Sequence, residues 1–251
     1  VTGPSGSGKT SLLYSSVIAV NSSDVNILTI EDPVEYQLAG VGQIDVKTKV
    51  GLTFSEGLRS ILRQDPDIIM IGEIRDEETA GIAVQSSLTG HLVFSTLHTN
   101  DAASTITRLD DLSIQPFQIA SAVLGVIATR LIRQLCADCR EVHELNDQEL
   151  ELMGVSRKDI AGKTIYKAGA GCDKCYGQGY AKRTPVHELL VMDDDLRELL
   201  MKTQDAAAIR EMAIEKSGMR TLRQSAISKD IAGITSLDEA VQKTQTEELE
   251  T

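Results

Sequence analysis

Residues 3–10 read Gly3-Pro4-Ser5-Gly6-Ser7-Gly8-Lys9-Thr10, and Ser11-Leu12-Leu13-Tyr14 follows at once. This is a full match to G-x-x-x-x-G-K-[ST], a phosphate-binding loop. Its glycines let the backbone turn N–H groups inward around an anion at dihedral angles that side chains would obstruct. Lys9 can reach the β- and γ-phosphates of a nucleotide, and the Thr10 hydroxyl can ligate Mg²⁺. The run over 11–19 reads as the helix whose N-terminus supports the phosphates. Gly3 through Ser11 are therefore the candidate nucleotide contacts. A loop of this kind normally follows a strand, and here only Val1 and Thr2 precede it.

Working outward, short apolar runs alternate with helical patterns. Residues 26–30, 67–71 and 92–97 read as buried strands, with β-branched enrichment in Asp67-Ile68-Ile69-Met70-Ile71. Residues 54–64 and 77–88 have helical spacing, with Leu58, Ile61 and Leu62 on one face. Strands separated by helices predict an α/β domain with a mostly parallel sheet, whose ligands sit beyond the C-terminal strand ends. Each strand is followed by chemically capable residues: Glu31-Asp32-Pro33-Val34-Glu35, then Gly72-Glu73-Ile74-Arg75-Asp76, then Leu97-His98-Thr99-Asn100-Asp101. His91 stands at the start of the third strand. Triphosphate hydrolysis needs such groups, because one carboxylate must position or deprotonate water and another must help hold Mg²⁺. The candidate catalytic set is Glu73, Glu35, Glu31, Asp32, His98 and His91. These residues leave open whether Glu35 or Glu73 is the principal base.

Composition narrows the class further. The 251 residues are 41% hydrophobic, 25% charged and 3% aromatic, enough apolar content for a core and unlike a disordered or collagenous chain. A formal charge of −12 would be repelled by phosphate backbones, so nucleic acid is not an expected partner. The longest apolar stretch, 117–128, is too short to span a bilayer, and no secretory leader is read at the start.

All four cysteines fall in two C-x-x-C pairs, Cys136/Cys139 and Cys172/Cys175, separated by residues 140–171. Gly171 before the second pair and Gly177 and Gly179 after it supply knuckle turns. Redox dithiols and disulfides are the alternatives, but the reducing compartment expected without a leader favours Zn²⁺ held by four thiolates. A fully thiolate-bound zinc would be structural. The stretch between the pairs reads as a small helical excursion around Leu145, Leu150, Leu152 and Met153. Beyond Met192 helices dominate, the first capped by Asp193-Asp194-Asp195 and the second opened by Asp205.

Four ordered motifs resemble those of the secretion ATPases of the type II secretion and type IV pilus assembly superfamily. They are the Walker A at 3–10, an Asp box at 29–35, a Walker B at 68–76 with Gly72 where most P-loop enzymes have Asp, and a His box at 89–101. Ser5 stands where Thr is usual, Ser11-Leu12 where Thr-Thr is common, and Pro185 where Gly is usual. The resemblance implies a RecA-like P-loop NTPase fold, carrying a tetracysteine zinc insert and a C-terminal helical region. It implies that the Asp-box acids and Glu73 serve Mg²⁺ and water activation, and that His91 and His98 read the nucleotide state.

The division expected from these features is a RecA-like core over 1–135, N-terminally truncated, then the metal-binding insert over 136–190. Helices over 191–243 and a polar tail over 244–251 complete it. The resemblance implies an ATP-hydrolysing motor, a homo-hexamer using ATP, Mg²⁺ and Zn²⁺, with nucleotide-facing arginines supplied by an upstream domain. Its expected place is cytoplasmic and peripheral to the inner membrane. There it would drive assembly of pilin-like subunits with a membrane platform protein and the cytoplasmic domain of a membrane partner, stimulated by acidic lipid. The tetracysteine insert favours type II secretion or pilus assembly over retraction, with type II secretion the main reading. A type IV pilus extension motor is the first alternative, and a P-loop kinase or a non-catalytic zinc adaptor is more distant.

Overall fold

The phosphate loop leads into α1 (Lys9–Val20), whose buried positions Leu13, Tyr14 and Val17 recur at helical spacing. They pack with Ile27, Leu38, Ile68 and Met70 into one apolar cluster. In this computed structural model the described residues are 1–245, so most of the expected tail lies outside them. Contacts divide the chain into two units. The first is Val1–Ala128 with Leu189–Met219, and the second is Thr129–Glu188 with the residues from Arg220 onward.

The first unit holds a four-stranded sheet in the order β2-β1-β3-β4, made of β1 (Ile27–Glu31), β2 (Gly42–Asp45), β3 (Ile68–Ile71) and β4 (Leu92–Ser95). Every pairing is parallel, with Leu28 opposite Gly42, Ile30 opposite Ile71, and Ile71 opposite Ser95. Thr2 forms parallel bridges to Leu97 and to Ala128, so the two residues before the phosphate loop run as a strand would. The mostly parallel α/β fold expected from the alternating pattern is therefore present. Strand β2 escapes a reading by pattern, because Gly42-Gln43-Ile44-Asp45 is a short, partly exposed edge without alternation.

Helices α2 (Phe54–Ile61), α3 (Glu77–Leu88), α4 (Ala102–Asp111) and α5 (Pro116–Ala122) complete the layers of this unit, with two later helices described below. Thr53, Asp76 and Asp101 cap α2, α3 and α4 by accepting the backbone N–H three residues on. Two of these caps belong to the expected Walker B and His box, so those motifs also set where helices begin.

A second sheet pairs β5 (Gly125–Leu135) with β8 (Tyr180–Val191). Neither long strand is read from the sequence. In β8 the buried positions alternate as Thr184, Val186, Glu188 and Leu190, and two of the four are polar, which erases the apolar alternation. Between them lie β6 (Glu141–Val142), α6 (Asp147–Met153) and β7 (Tyr166–Lys167), with β6 and β7 antiparallel. The expected helical excursion is thus α6, with a capping box between Asn146 and Glu149.

Among the last helices, α7 (Asp194–Leu200) and α8 (Ala206–Glu215) belong to the first unit, while α9 (Leu222–Ile231) and α10 (Leu237–Thr244) belong to the second. The expected region 191–243 is therefore shared between the two units. The reason is packing: α7 and α8 face each other and α4 or α5, whereas α9 and α10 pair together. No helix among the described residues is long and apolar enough to cross a membrane.

Two buried acids in the second unit give stability predictions. Glu239 is fully buried and accepts the Arg133 backbone N–H at 2.9 Å and its guanidinium at 2.6 and 2.8 Å, while Arg133 also lies over the Tyr180 ring. Glu239→Ala removes all three acceptor contacts. Because Arg133 stays half-exposed and can rehydrate, the cost is about 2 kcal/mol, measurable as a lowered urea midpoint. Asp230, also fully buried, has neither carboxyl oxygen hydrogen-bonded among the described residues. Burial pushes its pKa up from 3.8 to about 7, with Asp238 and Glu149 adding and His143 opposing. The folded protein then holds this proton more tightly than the unfolded chain does. The contribution is fully present below the unfolded pKa and is lost as pH rises towards 7. Asp230→Asn should raise the unfolding midpoint at pH 8 relative to pH 5, compared with wild type. An unchanged pH dependence would show that this carboxyl is not the titrating group.

Candidate functional site

Because the sheet is parallel, its strand ends sort the expected residues into two groups. Glu31 closes β1, Glu73 lies two residues past β3, and His98 lies three residues past β4. The phosphate loop leaves Thr2 beside Leu97, so it emerges at this same end. His91 precedes β4 and sits at the opposite end, with Nδ1 at 2.9 Å from the Ser86 carbonyl oxygen and 3.3 Å from Thr89 Oγ1. The structure does not bring His91 to the cluster: successive residues of an extended strand carry the chain away from it.

Gly3, Gly6 and Gly8 adopt φ of 147°, 73° and 95°, the region that favours glycine. No side chain caps the N-terminus of α1. A helix N-terminus without a side-chain cap suits a nucleotide phosphate. Lys9 is buried and its Nζ donates to the Gly3 and Pro4 carbonyls at 2.7 and 3.1 Å, laying the ammonium across the loop. Ser7 is buried, whereas Pro4, Ser5, Thr10 and Ser11 are exposed. An exposed Thr10 hydroxyl at the helix start suits the expected Mg²⁺ ligand.

The Glu73 side chain is 13% exposed, with one oxygen paired to the Arg75 guanidinium and the other 3.5 Å from His98 Nε2. Glu73 chiefly raises the Arg75 pKa, and Asp32 adds to the same effect, so this guanidinium lies among both acids. Arg75 thus pairs with the candidate base itself. A hydroxyl chain fixes the His box beside the loop: Thr2 Oγ1 lies 2.6 Å from Thr99 Oγ1, which lies 2.7 Å from Thr105 Oγ1. Asp101, besides capping α4, pairs with Arg210 of α8.

The Asp box divides differently from its expectation. Asp32 and Glu35 are exposed, whereas Glu31 is 3% exposed and wholly engaged. Its Oε1 accepts Thr29 Oγ1 at 2.6 Å and Gln43 Nε2 at 3.1 Å, and its Oε2 accepts the Tyr14 hydroxyl. Both oxygens of this carboxylate are thus taken up by internal donors. Sequence reading missed Tyr14 and Gln43 because a buried hydroxyl and an edge amide carry no spacing signal.

The four cysteine sulfurs lie within 4.8 Å of one another, with Cys136–Cys172 and Cys139–Cys175 at 3.7 Å and Cys172–Cys175 at 3.8 Å. Sulfurs about 2.3 Å from a common tetrahedral centre stand roughly 3.8 Å apart, so these thiols fit Zn²⁺. The Cys172 and Gly179 N–H groups each donate to Cys175 Sγ at 3.2 Å. The Cys172 N–H bond is the largest cause that lowers Cys175 to about 6, while burial and the neighbouring thiols push Cys139 up to about 12. Tyr176 and Gly177 take the left-handed turn behind the second knuckle, with φ of 52° and 75°. Among the described residues His187 does not join this group.

A P-loop on a parallel sheet, with acids and a histidine at the same strand ends, defines a nucleotide-binding α/β protein, and four clustered cysteine thiols are compatible with a bound metal ion. The family described as "Type II/IV secretion system protein" matches residues 1–242, and the chain belongs to it. It is 48% identical over 247 residues to "Type II secretion system protein E" of Dickeya dadantii, covering 98% of this chain and 48% of that relative. It is 49% identical over 248 residues to "Type II secretion system ATPase E" of Vibrio cholerae, with 98% and 48% covered. It is 48% identical over 244 residues to "Type IV pilus assembly ATPase PilB" of Thermus thermophilus, covering 97% of this chain and 27% of that relative. The crystal structure of the pilus retraction motor PilT with bound ADP superposes with a TM-score of 0.70 at 27% identity, covering 98% of this chain and 60% of that one. The chain thus spans about half the length of the type II secretion relatives, at 48%.

Proposed function

We propose that this chain is the nucleotide-hydrolysing part of a type II secretion motor. The observation that carries the reading is the placement of Glu73 and His98 within 3.5 Å of each other at the strand ends from which the phosphate loop emerges. Relatives named for type II secretion at 48% and 49% identity support the system. In this reading the loop N–H groups and Lys9 bind and orient the phosphates of ATP. Glu73 orients the attacking water and takes its proton, while His98 senses the γ-phosphate region from the facing strand. Mg²⁺, when bound, would neutralise phosphate charge, and the residues that would hold it are Thr10 with Asp32 and Glu35. Arg75 is ion-paired to Glu73 and holds its carboxylate in place. His91, at the far end of β4, is left to a role outside this cluster.

The motor would act as a homo-hexamer at the inner membrane, cytoplasmic and peripheral, moving a membrane platform protein that assembles pilin-like subunits. Contacts with a membrane partner's cytoplasmic domain, stimulation by acidic lipid and arginines donated by another domain complete the proposal. The 48% identity to a pilus assembly ATPase favours pilus extension as the second reading. Phosphate release from ATP by the intact protein tests the hydrolase. Release increased by a partner's cytoplasmic domain and anionic vesicles is the expected result. Transfer of the γ-phosphate to a metabolite would make the protein a kinase, and absence of both reactions would leave the zinc adaptor.

One acid separates the Asp-box roles. Glu31→Gln should lower kcat only about tenfold, less than loss of a group that meets water, since its contacts are all internal. A loss as deep as that of Glu73→Gln would return Glu31 to the reacting atoms.

A further inference from the structure

The Tyr14 hydroxyl, carried by α1, meets both ends of the turn over 31–35. Tyr14 is fully buried and lies one helical turn beyond Thr10. Its hydroxyl donates to Glu31 Oε2 at the end of β1, and the same oxygen accepts the Glu35 backbone N–H at 3.2 Å. Asp32 lies between these two anchors. Thr29 and Gln43 hold the other oxygen of Glu31, so this carboxylate cannot swing away from the tyrosine. The Tyr36 ring packs edge-on against the Tyr14 ring, with centroids 4.6 Å apart at 74°, and closes the far side of the turn.

We infer that Tyr14 is a positioning residue that fixes the acids of the turn 31–35 against the phosphate-binding helix. The physical argument is rigidity. Lys9 and Thr10 belong to the same helix as Tyr14, so a bond from Tyr14 to both ends of the turn sets the distance between the two halves of the site. A hydroxyl does this where a phenyl ring cannot, because it donates to one end and accepts from the other. Burial and the Glu31 carboxylate push the Tyr14 pKa up to about 12, which keeps the donor proton in place at working pH. The loop N–H groups that bind phosphate do not depend on this bond, so nucleotide affinity and turnover separate. Small misplacements of reacting groups cost rate far more than binding.

This inference rests on the hydrolase reading above, and the experiment separates the two. Tyr14→Phe in the intact protein should lower kcat for phosphate release about tenfold or more, with the ATP KM and equilibrium nucleotide affinity within about twofold of wild type. Glu31→Gln should give a loss of the same kind. The double variant should be no worse than the weaker-turnover single variant, because both break one link. A structural role alone would shift the melting temperature and leave this kinetic split unseen. Should Tyr14→Phe fail to fold, Glu31→Gln with Tyr36→Ala carries the same comparison, with both losses expected in kcat. Wild-type kcat in Tyr14→Phe, equal losses in kcat and affinity, or additive effects in the double variant would each overturn the inference. Absence of phosphate release from the wild-type protein would instead overturn the hydrolase reading, and this inference with it.

Discussion

Glu73→Gln is expected to leave nucleotide bound while turnover falls by about 10²–10⁴-fold, the usual contribution of a positioned acid–base group. The substitution keeps volume and a hydrogen-bonding carbonyl but removes the charge and the ability to accept a proton. Binding should survive because the phosphate contacts come from the loop, where Gly3, Gly6 and Gly8 set the backbone and Lys9 lies across it. Turnover should not survive, because Glu73 is the enclosed carboxylate shared by Arg75 and His98 at that end of the sheet. Equilibrium titration with a fluorescent nucleotide and phosphate-release kinetics measure the two quantities separately. Turnover at the wild-type rate would remove Glu73 from the chemistry and pass the role to Glu35.

Removal of the metal from the tetrathiolate cluster should unfold its surroundings. Structural zinc sites of this kind supply about 10–16 kcal/mol in isolated zinc-finger peptides at neutral pH, far more than any single contact in this chain. Metal analysis should give about one zinc per chain. Cys175→Ser should abolish stoichiometric zinc, because it removes the sulfur that the Cys172 and Gly179 N–H groups hold in place. Amide hydrogen exchange across residues 136–180 should then lose protection, and the same loss should follow chelation of the wild-type protein. Acid should release the metal as well, since thiolate ligands must be deprotonated to bind. A zinc-free wild-type protein with full protection in this segment would show that the four thiols are held by packing alone.

How much of this was legible beforehand differs from residue to residue. The phosphate loop was readable because its chemistry is local: eight consecutive residues carry the glycines, the lysine and the hydroxyl together. The cysteine pairs were readable because knuckle spacing is a property of adjacent residues, and the structure brings their sulfurs to tetrahedral separations. Strands β1, β3 and β4 were readable because each carries a short apolar run, fully buried in β3 and partly buried in β4. The long strands β5 and β8 were not. Buried Thr184 and Glu188 are satisfied by partners far along the chain, such as Lys229 at 2.9 Å and the Leu222 N–H at 3.3 Å, and a window of sequence cannot see such partners.

The same limit explains the candidate site. Spacing grouped Glu31, Asp32 and Glu35 as equals, yet the structure encloses Glu31 among Tyr14, Thr29 and Gln43 and exposes the other two. Spacing also grouped His91 with His98, though a parallel strand between them puts them at opposite ends. The sequence by itself determined the class of chemistry: a phosphate-binding helix start, acids after apolar strands, and four paired cysteines spaced to suit a metal ion. These follow from side-chain identity and near-neighbour geometry, which travel with the chain wherever it folds. Only the tertiary structure decided which acids are exposed and which is enclosed, which histidine shares their end of the sheet, and that Tyr14 ties the helix to the acidic turn. Those assignments depend on burial and on partners such as Gln43 and Tyr14, 12 and 17 residues from Glu31, and both are set by how the chain packs.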